Sequence, residues 1–156
     1  MGSLIEYVHA LAVAVLVGKV VLLSFIVAPI LAKNLDQESF GKVVRQLFPA
    51  YYALGMGTAS AGLLAAAALL TLRGGPASLW LTGGLWLLVL AAEAYCRSPL
   101  TPQSNALQDC LKEQGSRAAI NPALQHRWNR LHRLSVGLNS LVLGAGLCLL
   151  GLASRL

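Results

Sequence analysis

The sequence predicts an all-α integral membrane protein: a four-helix bundle with an amphipathic interfacial helix and a helical cytoplasmic connection. Three observations support this fold class, namely four long apolar stretches, low charge and two basic connections. Of the 156 residues, 56% are hydrophobic and 12% are charged, whereas soluble proteins average about 25% charged residues. Each apolar stretch is long enough for a spanning helix, which needs about 20 residues. The stretches cover residues 4–32, 51–72, 77–96 and 134–153.

The connections between these stretches predict the topology. Nine of the twelve Lys and Arg residues lie in residues 33–50 and 97–133, and cytoplasmic loops collect basic residues near span ends. We therefore expect a single domain, 1–156, in the plasma (inner) membrane with both termini extracytoplasmic. The net charge of +6 follows this topology rather than forming one basic surface, so the lipid bilayer and not nucleic acid is the expected partner.

The first connection has a helical pattern of its own. Five apolar side chains follow the i, i+3, i+4, i+7, i+8 spacing of one helix face. They are Phe40, Val43, Val44, Leu47 and Phe48. This pattern predicts a short helix along the inner membrane surface, which Pro49 ends before the second span begins.

The later connections predict a hairpin and a helical region. Residues 73–76, Arg-Gly-Gly-Pro, form a tight turn that joins spans two and three. In the third connection, Thr101 and Asn121 each precede a proline, an arrangement typical of helix starts. We expect a short helix from Pro102 to about Gln114, a break at Gly115, and a long helix from Pro122 through span four.

Small residues are expected at the helix contacts, because they allow close backbone approach in membranes. Span four carries three glycines seven residues apart, which fall on one face. The candidate glycines are Gly55, Gly57, Gly62, Gly83, Gly84, Gly137, Gly144 and Gly151. We predict a packing role for them.

Two charged residues lie inside the predicted spans. Lys19 is mid-way along span one, where an unpaired charge costs about 2.5 to 3.5 kcal/mol, so it must face the bundle, a watery cavity or a partner. Glu93 is the candidate partner, but it lies near the inner end of span three. At about 1.5 Å per residue the two differ in depth by more than about 10 Å, which argues against a direct ion pair.

Polar residues near span ends form a second group of candidates. His9 enters span one at its outer end, and His132, Ser135 and Asn139 follow one face at the inner end of span four. Such residues usually point inward, for hydrogen bonding or for binding a ligand. The six-residue separation of His126 and His132 does not fit a zinc motif, and three scattered cysteines indicate neither a disulfide framework nor a metal site. No metal site is predicted.

At these positions the chain resembles the transmembrane protein 205-like family and its bacterial four-span relatives. The match runs through almost the whole chain. It includes His9, Gly18, Ser24-Phe25, Phe40-Gly41, Leu47-Phe48-Pro49, Tyr51, Met56-Gly57, Ala106-Leu107-Gln108, His132, Ser135, Asn139 and Gly146-Leu147-Cys148-Leu149. The resemblance implies a fold more firmly than a function, because the family has no established reaction; its animal member is associated with platinum-drug resistance and vesicle traffic. The positions that it carries over are His9, His132, Ser135 and Asn139, whereas Lys19 is outside the family pattern.

Three functions fit these observations. The first is a non-enzymatic transport, metal- or drug-resistance or accessory component, acting alone, as a homo-oligomer or in a membrane complex. The second is a haem-binding redox protein with a histidine axial ligand, which a fainter similarity to copper-resistance D proteins and haem-linked protoporphyrinogen oxidases also implies. His9 and His132 are expected on opposite sides of a core about 30 Å thick, so they cannot bind one iron within one bundle. Either His9 or His132 alone, or histidines from two subunits, could still bind haem. The third is a scaffold that acts through the third connection.

Overall fold

The computed structural model describes residues 2–113 and 121–153. These residues form helices and contain no β-strand, which confirms the all-α prediction. Four helices are long and apolar enough to cross a membrane, so the chain is a multi-pass membrane protein. Spans one to four are Gly2–Asn34, Gln37–Arg73, Ala77–Lys112 and Pro122–Ala153. The helix end expected near Gln114 and the break at Gly115 lie outside the described residues.

Span one contains a wide helical turn. It consists of α1, Gly2–Val21, a π turn, Leu22–Val27, and α2, Ala28–Asn34. Pro29 is the second residue after the π turn, and a proline both lacks the N–H of a helical residue and crowds the carbonyl four residues earlier. A π turn is one way in which a helix adjusts to such an interruption.

Span two is one continuous helix, α3, Gln37–Arg73. The Asp36 side chain accepts hydrogen bonds from the backbone N–H groups of Glu38 and Ser39, each at 2.9 Å, and so caps its start. The prediction that Pro49 ends a separate surface helix is wrong, because α3 continues through it. At about 1.5 Å per residue α3 is about 55 Å long, more than a hydrocarbon core of about 30 Å requires. Its first turns therefore extend beyond the hydrocarbon.

Span three is also helical past its predicted end. It consists of α4, Ala77–Tyr95, a second π turn, Cys96–Leu100, and α5, Thr101–Glu113. The predicted break before Pro102 is absent, because Pro99 lies inside the π turn and the Thr101 hydroxyl donates a 2.7 Å hydrogen bond to the carbonyl of Cys96. The chain thus passes both prolines without leaving the helix.

Span four is α6, Pro122–Ala153, and it confirms the predicted long helix. The Asn121 side chain accepts a 2.9 Å hydrogen bond from the backbone N–H of Ala123, as expected for an N-cap before a proline. At the other connection, Gly74 and Gly75 have φ values of 74° and 75°. This left-handed conformation suits glycine and closes the turn between α3 and α4.

The four spans form a square bundle. In cyclic order α1 packs against α3, α3 against α4, α4 against α6 and α6 against α1; among the described residues, backbone contacts join neither α1 to α4 nor α3 to α6. We call the end with the turn at residues 74–76 the turn end, where Arg73 also pairs with Glu6. The opposite end, with the connection at residues 35–36 and the start of α6 at Pro122, is the connection end. Each half of the bundle is named after its end.

Glycines are important for packing at some of the predicted positions only. An added Cβ at Gly62 would overlap the indole of Trp86, and one at Gly146 would lie 2.9 Å from a methyl group of Val17. Gly137 and Gly144 are exposed, with no atom within 4 Å of such a Cβ. The predicted contact face of three glycines in span four is therefore wrong, and α6 approaches α1 through Gly146.

Candidate functional site

Lys19 and Glu93 form a buried ion pair across the bundle. The Nζ of Lys19 lies 2.6 Å from Oε1 of Glu93, and their side chains are 5% and 1% exposed. The depth argument from the apolar stretches is thus wrong. Spans one and three both start at the turn end, and Lys19 and Glu93 follow their first helical residues, Gly2 and Ala77, by 17 and 16 positions. Counted from that end, they lie at equal depth.

Span two completes the surroundings of the ion pair. The Lys19 ammonium lies 3.9 Å from the centre of the Tyr51 ring, within range of a cation–π interaction, and it donates a 3.5 Å hydrogen bond to the Tyr51 carbonyl. Gly55 provides the necessary space, because an added Cβ would overlap both the Glu93 carboxyl and the Lys19 ammonium. Oε2 of Glu93 is a buried oxygen without a hydrogen-bond partner among the described residues.

A second polar contact crosses the other diagonal of the square, between spans two and four. The Tyr51 hydroxyl donates a 3.0 Å hydrogen bond to Oδ1 of Asn139, and the hydroxyl groups of Tyr52 and Ser135 lie 3.3 Å apart. Nδ2 of Asn139 donates to the Ser135 carbonyl at 3.0 Å. The two diagonals meet at Tyr51, which contacts Lys19 with its ring and Asn139 with its hydroxyl.

A cavity of about 680 Å³ opens beside this crossing in the connection half. Its wall includes residues from all four spans, and Tyr52, Ser135 and Asn139 border it. His132 lies on the same wall and is exposed. The structure therefore brings three predicted candidates, His132, Ser135 and Asn139, to one cavity, with Lys19 and Glu93 buried behind Tyr51.

His9 lies in the turn half, apart from this group. It is 1% exposed, and its ring meets Trp86 edge to face with centroids 5.8 Å apart. Nε2 of His9 and Nε1 of Trp86 are both buried without a hydrogen-bond partner among the described residues. His9 also borders a small pocket with Glu6 at the turn end. The two candidate histidines thus occupy opposite halves of the bundle.

Comparison with protein families gives one assignment. The model of a domain of unknown function, DUF4149, matches residues 11–112. The chain belongs to the DUF4149 family. No match was found among curated proteins or among solved structures.

The DUF4149 match covers most of the site but not all of it. It includes Lys19, Tyr51, Tyr52 and Glu93, hence the ion pair and the first partner of each diagonal hydrogen bond. His9 precedes the match, and the α6 residues of the cavity wall follow it. The family assignment therefore concerns spans one to three and names no activity.

Two residues of the site described above are absent from the site residues that the sequence predicts. Tyr52 and Gly55 are not among them as polar or site residues, because a tyrosine or glycine in an apolar helix is ordinary. The relevant signal is that they lie one turn apart on α3. This spacing places the Tyr52 side chain and the space left by Gly55 on the same side of the helix. Among the described residues, no group of three or more His, Cys, Asp or Glu side chains has a geometry that would hold a metal ion.

Proposed function

We propose that this chain is a non-enzymatic membrane protein that binds a small amphiphilic molecule in the cavity of the connection half, as a transport or resistance component. The cavity itself is the observation that carries this proposal. Its volume of about 680 Å³ lies in the range of small-molecule sites, about 300–1,000 Å³. Such sites are mostly apolar with a few polar groups that orient the ligand. The lining of this cavity is likewise mostly apolar, with polar groups such as those of Ser135 and Asn139.

The buried charges of Lys19 and Glu93 support the transport proposal. Charged side chains inside a membrane protein usually mark substrate or ion pathways, or pair with each other. Lys19 and Glu93 each precede a π turn by one helical turn, and the cavity extends beside both π turns. π turns often occur at functional sites. We propose that the ion pair holds spans one and three together at the base of the cavity.

Orientation and family relationship complete the proposal. The basic connections support a cytoplasmic connection end in the plasma (inner) membrane, with both termini outside. The residues that resemble the transmembrane protein 205-like family include three on the cavity, His132, Ser135 and Asn139. A homo-oligomer or a membrane-complex partner would add a second wall to the open side of this cavity.

Trp128 provides a direct test, because it borders the cavity whereas Trp86 is buried and Trp80 exposed in the turn half. Amphiphiles with a nitroxide on the acyl chain are titrated into the purified protein in mild detergent. We expect saturable quenching of tryptophan fluorescence that is lost in Trp128→Phe. Quenching that is linear in probe, or unchanged in Trp128→Phe, would overturn the proposal. The control is Trp80→Phe, which should retain the saturable component.

The haem alternative depends on His132, since His9 lies in the other half of the bundle. An imidazole on the wall of a cavity is positioned to serve as an axial ligand. Its test is the absorption spectrum of protein expressed with ample haem. A Soret band that His132→Ala abolishes and His126→Ala retains would replace the amphiphile proposal, and the absence of the band would reject haem binding.

A further inference from the structure

The cavity has two walls that differ in chemistry. Spans one and two provide an apolar wall, and α5 with α6 up to Asn139 provides a polar wall. Representative residues of the apolar wall are Leu23, Phe25, Leu31, Phe40, Val44 and Phe48. Those of the polar wall are Ser104, Asn105, Gln108, His132, Ser135 and Asn139. A molecule between them contacts hydrocarbon on one side and hydrogen-bonding groups on the other.

None of the described residues that line the cavity is an aspartate, glutamate, lysine or arginine. The acidic groups next to it already have basic partners. Asp109 lies 2.5 Å from the Arg45 guanidinium, and Glu93 is paired with Lys19. A charged ligand would therefore meet no opposite charge among the described lining residues, and burial of an unpaired charge is costly.

Hydroxyl and amide groups on the polar wall can serve an uncharged ligand instead. Carboxamides such as those of Asn105 and Gln108 both donate and accept hydrogen bonds, and serine hydroxyls do the same. These groups are spread along two helices rather than gathered at one point. They fit several hydroxyl or carbonyl groups along one side of an elongated molecule better than a single compact head group.

We infer that the ligand of this cavity is an uncharged, elongated amphiphile, with hydroxyl or carbonyl groups along the polar wall and hydrocarbon along the apolar wall. The inference rests on the proposed function and adds the substrate class. It predicts that the cavity rejects cationic as well as anionic amphiphiles.

Three nitroxide probes with the same acyl chain test the inference: a glycerol ester, a quaternary ammonium and a sulfate. Their affinities come from the Trp128-dependent quenching. We expect the glycerol ester to bind at least about tenfold more tightly than either charged probe. If a charged probe binds as tightly as the ester, the inference is wrong while the proposed function stands. If no probe quenches Trp128, the proposed function fails and the inference falls with it.

A designed charge makes the test independent of probe partitioning. Ser104→Asp places a carboxylate on the polar wall, and Gln103→Asp places one on the neighbouring exposed position outside the cavity. Ser104→Asp should bring the quaternary ammonium to within about threefold of the ester, and Gln103→Asp should not. Both variants must elute as the parent protein does, and the ratio of ammonium to ester affinity is compared within each variant. Equal effects of the two variants would overturn the inference.

Discussion

The two halves of the bundle are built from the same four helices, yet one is filled and the other is open. In the turn half, Trp86 extends across the centre, with its ring against His9 and directly over Gly62. In the connection half, the spans surround a cavity of about 680 Å³. In this chain the bundle is closed where the Trp86 ring packs against Gly62. It opens beyond the point where π turns alter two of its helices.

The two halves also differ in the polarity of the side chains that cross them. The diagonal of the turn half is crossed by aromatic rings, whereas the diagonals of the connection half are crossed by an ion pair and by hydrogen bonds. Fully buried apolar residues, among them Val13, Leu16 and Val89, lie between the two layers. The bundle therefore has an apolar layer in its middle, with a polar layer next to the cavity.

The largest effect is expected when the polar layer loses one charge. Lys19→Met leaves the Glu93 carboxylate buried without a partner, which should cost about 3–5 kcal/mol of unfolding free energy. Lys19→Met with Glu93→Gln removes both charges and should recover much of that loss. Thermal unfolding in mild detergent measures both variants. Lys42→Met breaks the exposed Glu38–Lys42 pair and should change little; a Lys19→Met variant as stable as Lys42→Met would contradict the prediction.

A methyl group in the turn half tests how closely that half is filled. Gly62→Ala places a Cβ inside the volume of the Trp86 ring, and overpacking of this kind costs about 1–3 kcal/mol. Gly57→Ala adds the same methyl group to the same helix where it meets no atom within 4 Å. The unfolding midpoint should fall for the first variant and stay equal or rise for the second. If the unfolding midpoint falls equally in both variants, the loss comes from replacing a glycine in α3 and not from the contact with Trp86, which would contradict the prediction.

A smaller loss is expected from the hydrogen bonds that cross between spans two and four. Asn139→Ala removes the acceptor of the Tyr51 hydroxyl and should cost about 1 kcal/mol. Because Asn139 also borders the cavity, the quenching affinity of the glycerol ester should fall together with the unfolding midpoint. The control is Asn129→Ala at an exposed position of the same helix. If it lowers the affinity equally, the crossed hydrogen bonds do not shape the cavity.

The smallest effect concerns the cap of α3, outside the spans. The backbone N–H of Ser39, helped by its hydroxyl, holds the pKa of Asp36 below its ordinary value. The cap thus contributes stability above that ordinary pKa, and the contribution is lost as the pH falls through the lowered one. The Ser39 amide resonance should titrate with this lowered midpoint and lose the titration in Asp36→Asn. A midpoint at or above the ordinary aspartate value would contradict the cap.

Sequence patterns were sufficient for the spans and for one helix start. Hydropathy and length predict the four spans, and Asn121 before Pro122 predicts the start of α6, because capping is a local interaction. Pro49 and Pro102 mislead for the opposite reason. Their local rules favour a break, but α3 continues through Pro49, and a π turn that contains Pro99 leads into the helix that contains Pro102.

The site was harder to predict than the fold, because it depends on depth and diagonal geometry. Apolar stretches are shorter than the helices that contain them. A depth measured from the inner end of the third apolar stretch therefore misplaces Glu93. The face shared by His132, Ser135 and Asn139 follows from helical spacing, and the structure brings these residues to one cavity. The roles of Tyr52 and Gly55 need the square arrangement of spans, which no local pattern encodes.

The ion pair also sets an order of assembly. Lys19 precedes Glu93 by 74 residues, which at about 5–20 residues per second corresponds to about 4–15 seconds of synthesis. Throughout that interval span one carries an ammonium group whose carboxylate does not yet exist. The carboxylate that pairs with this ammonium therefore becomes available only with the third helix, before the fourth helix completes the bundle.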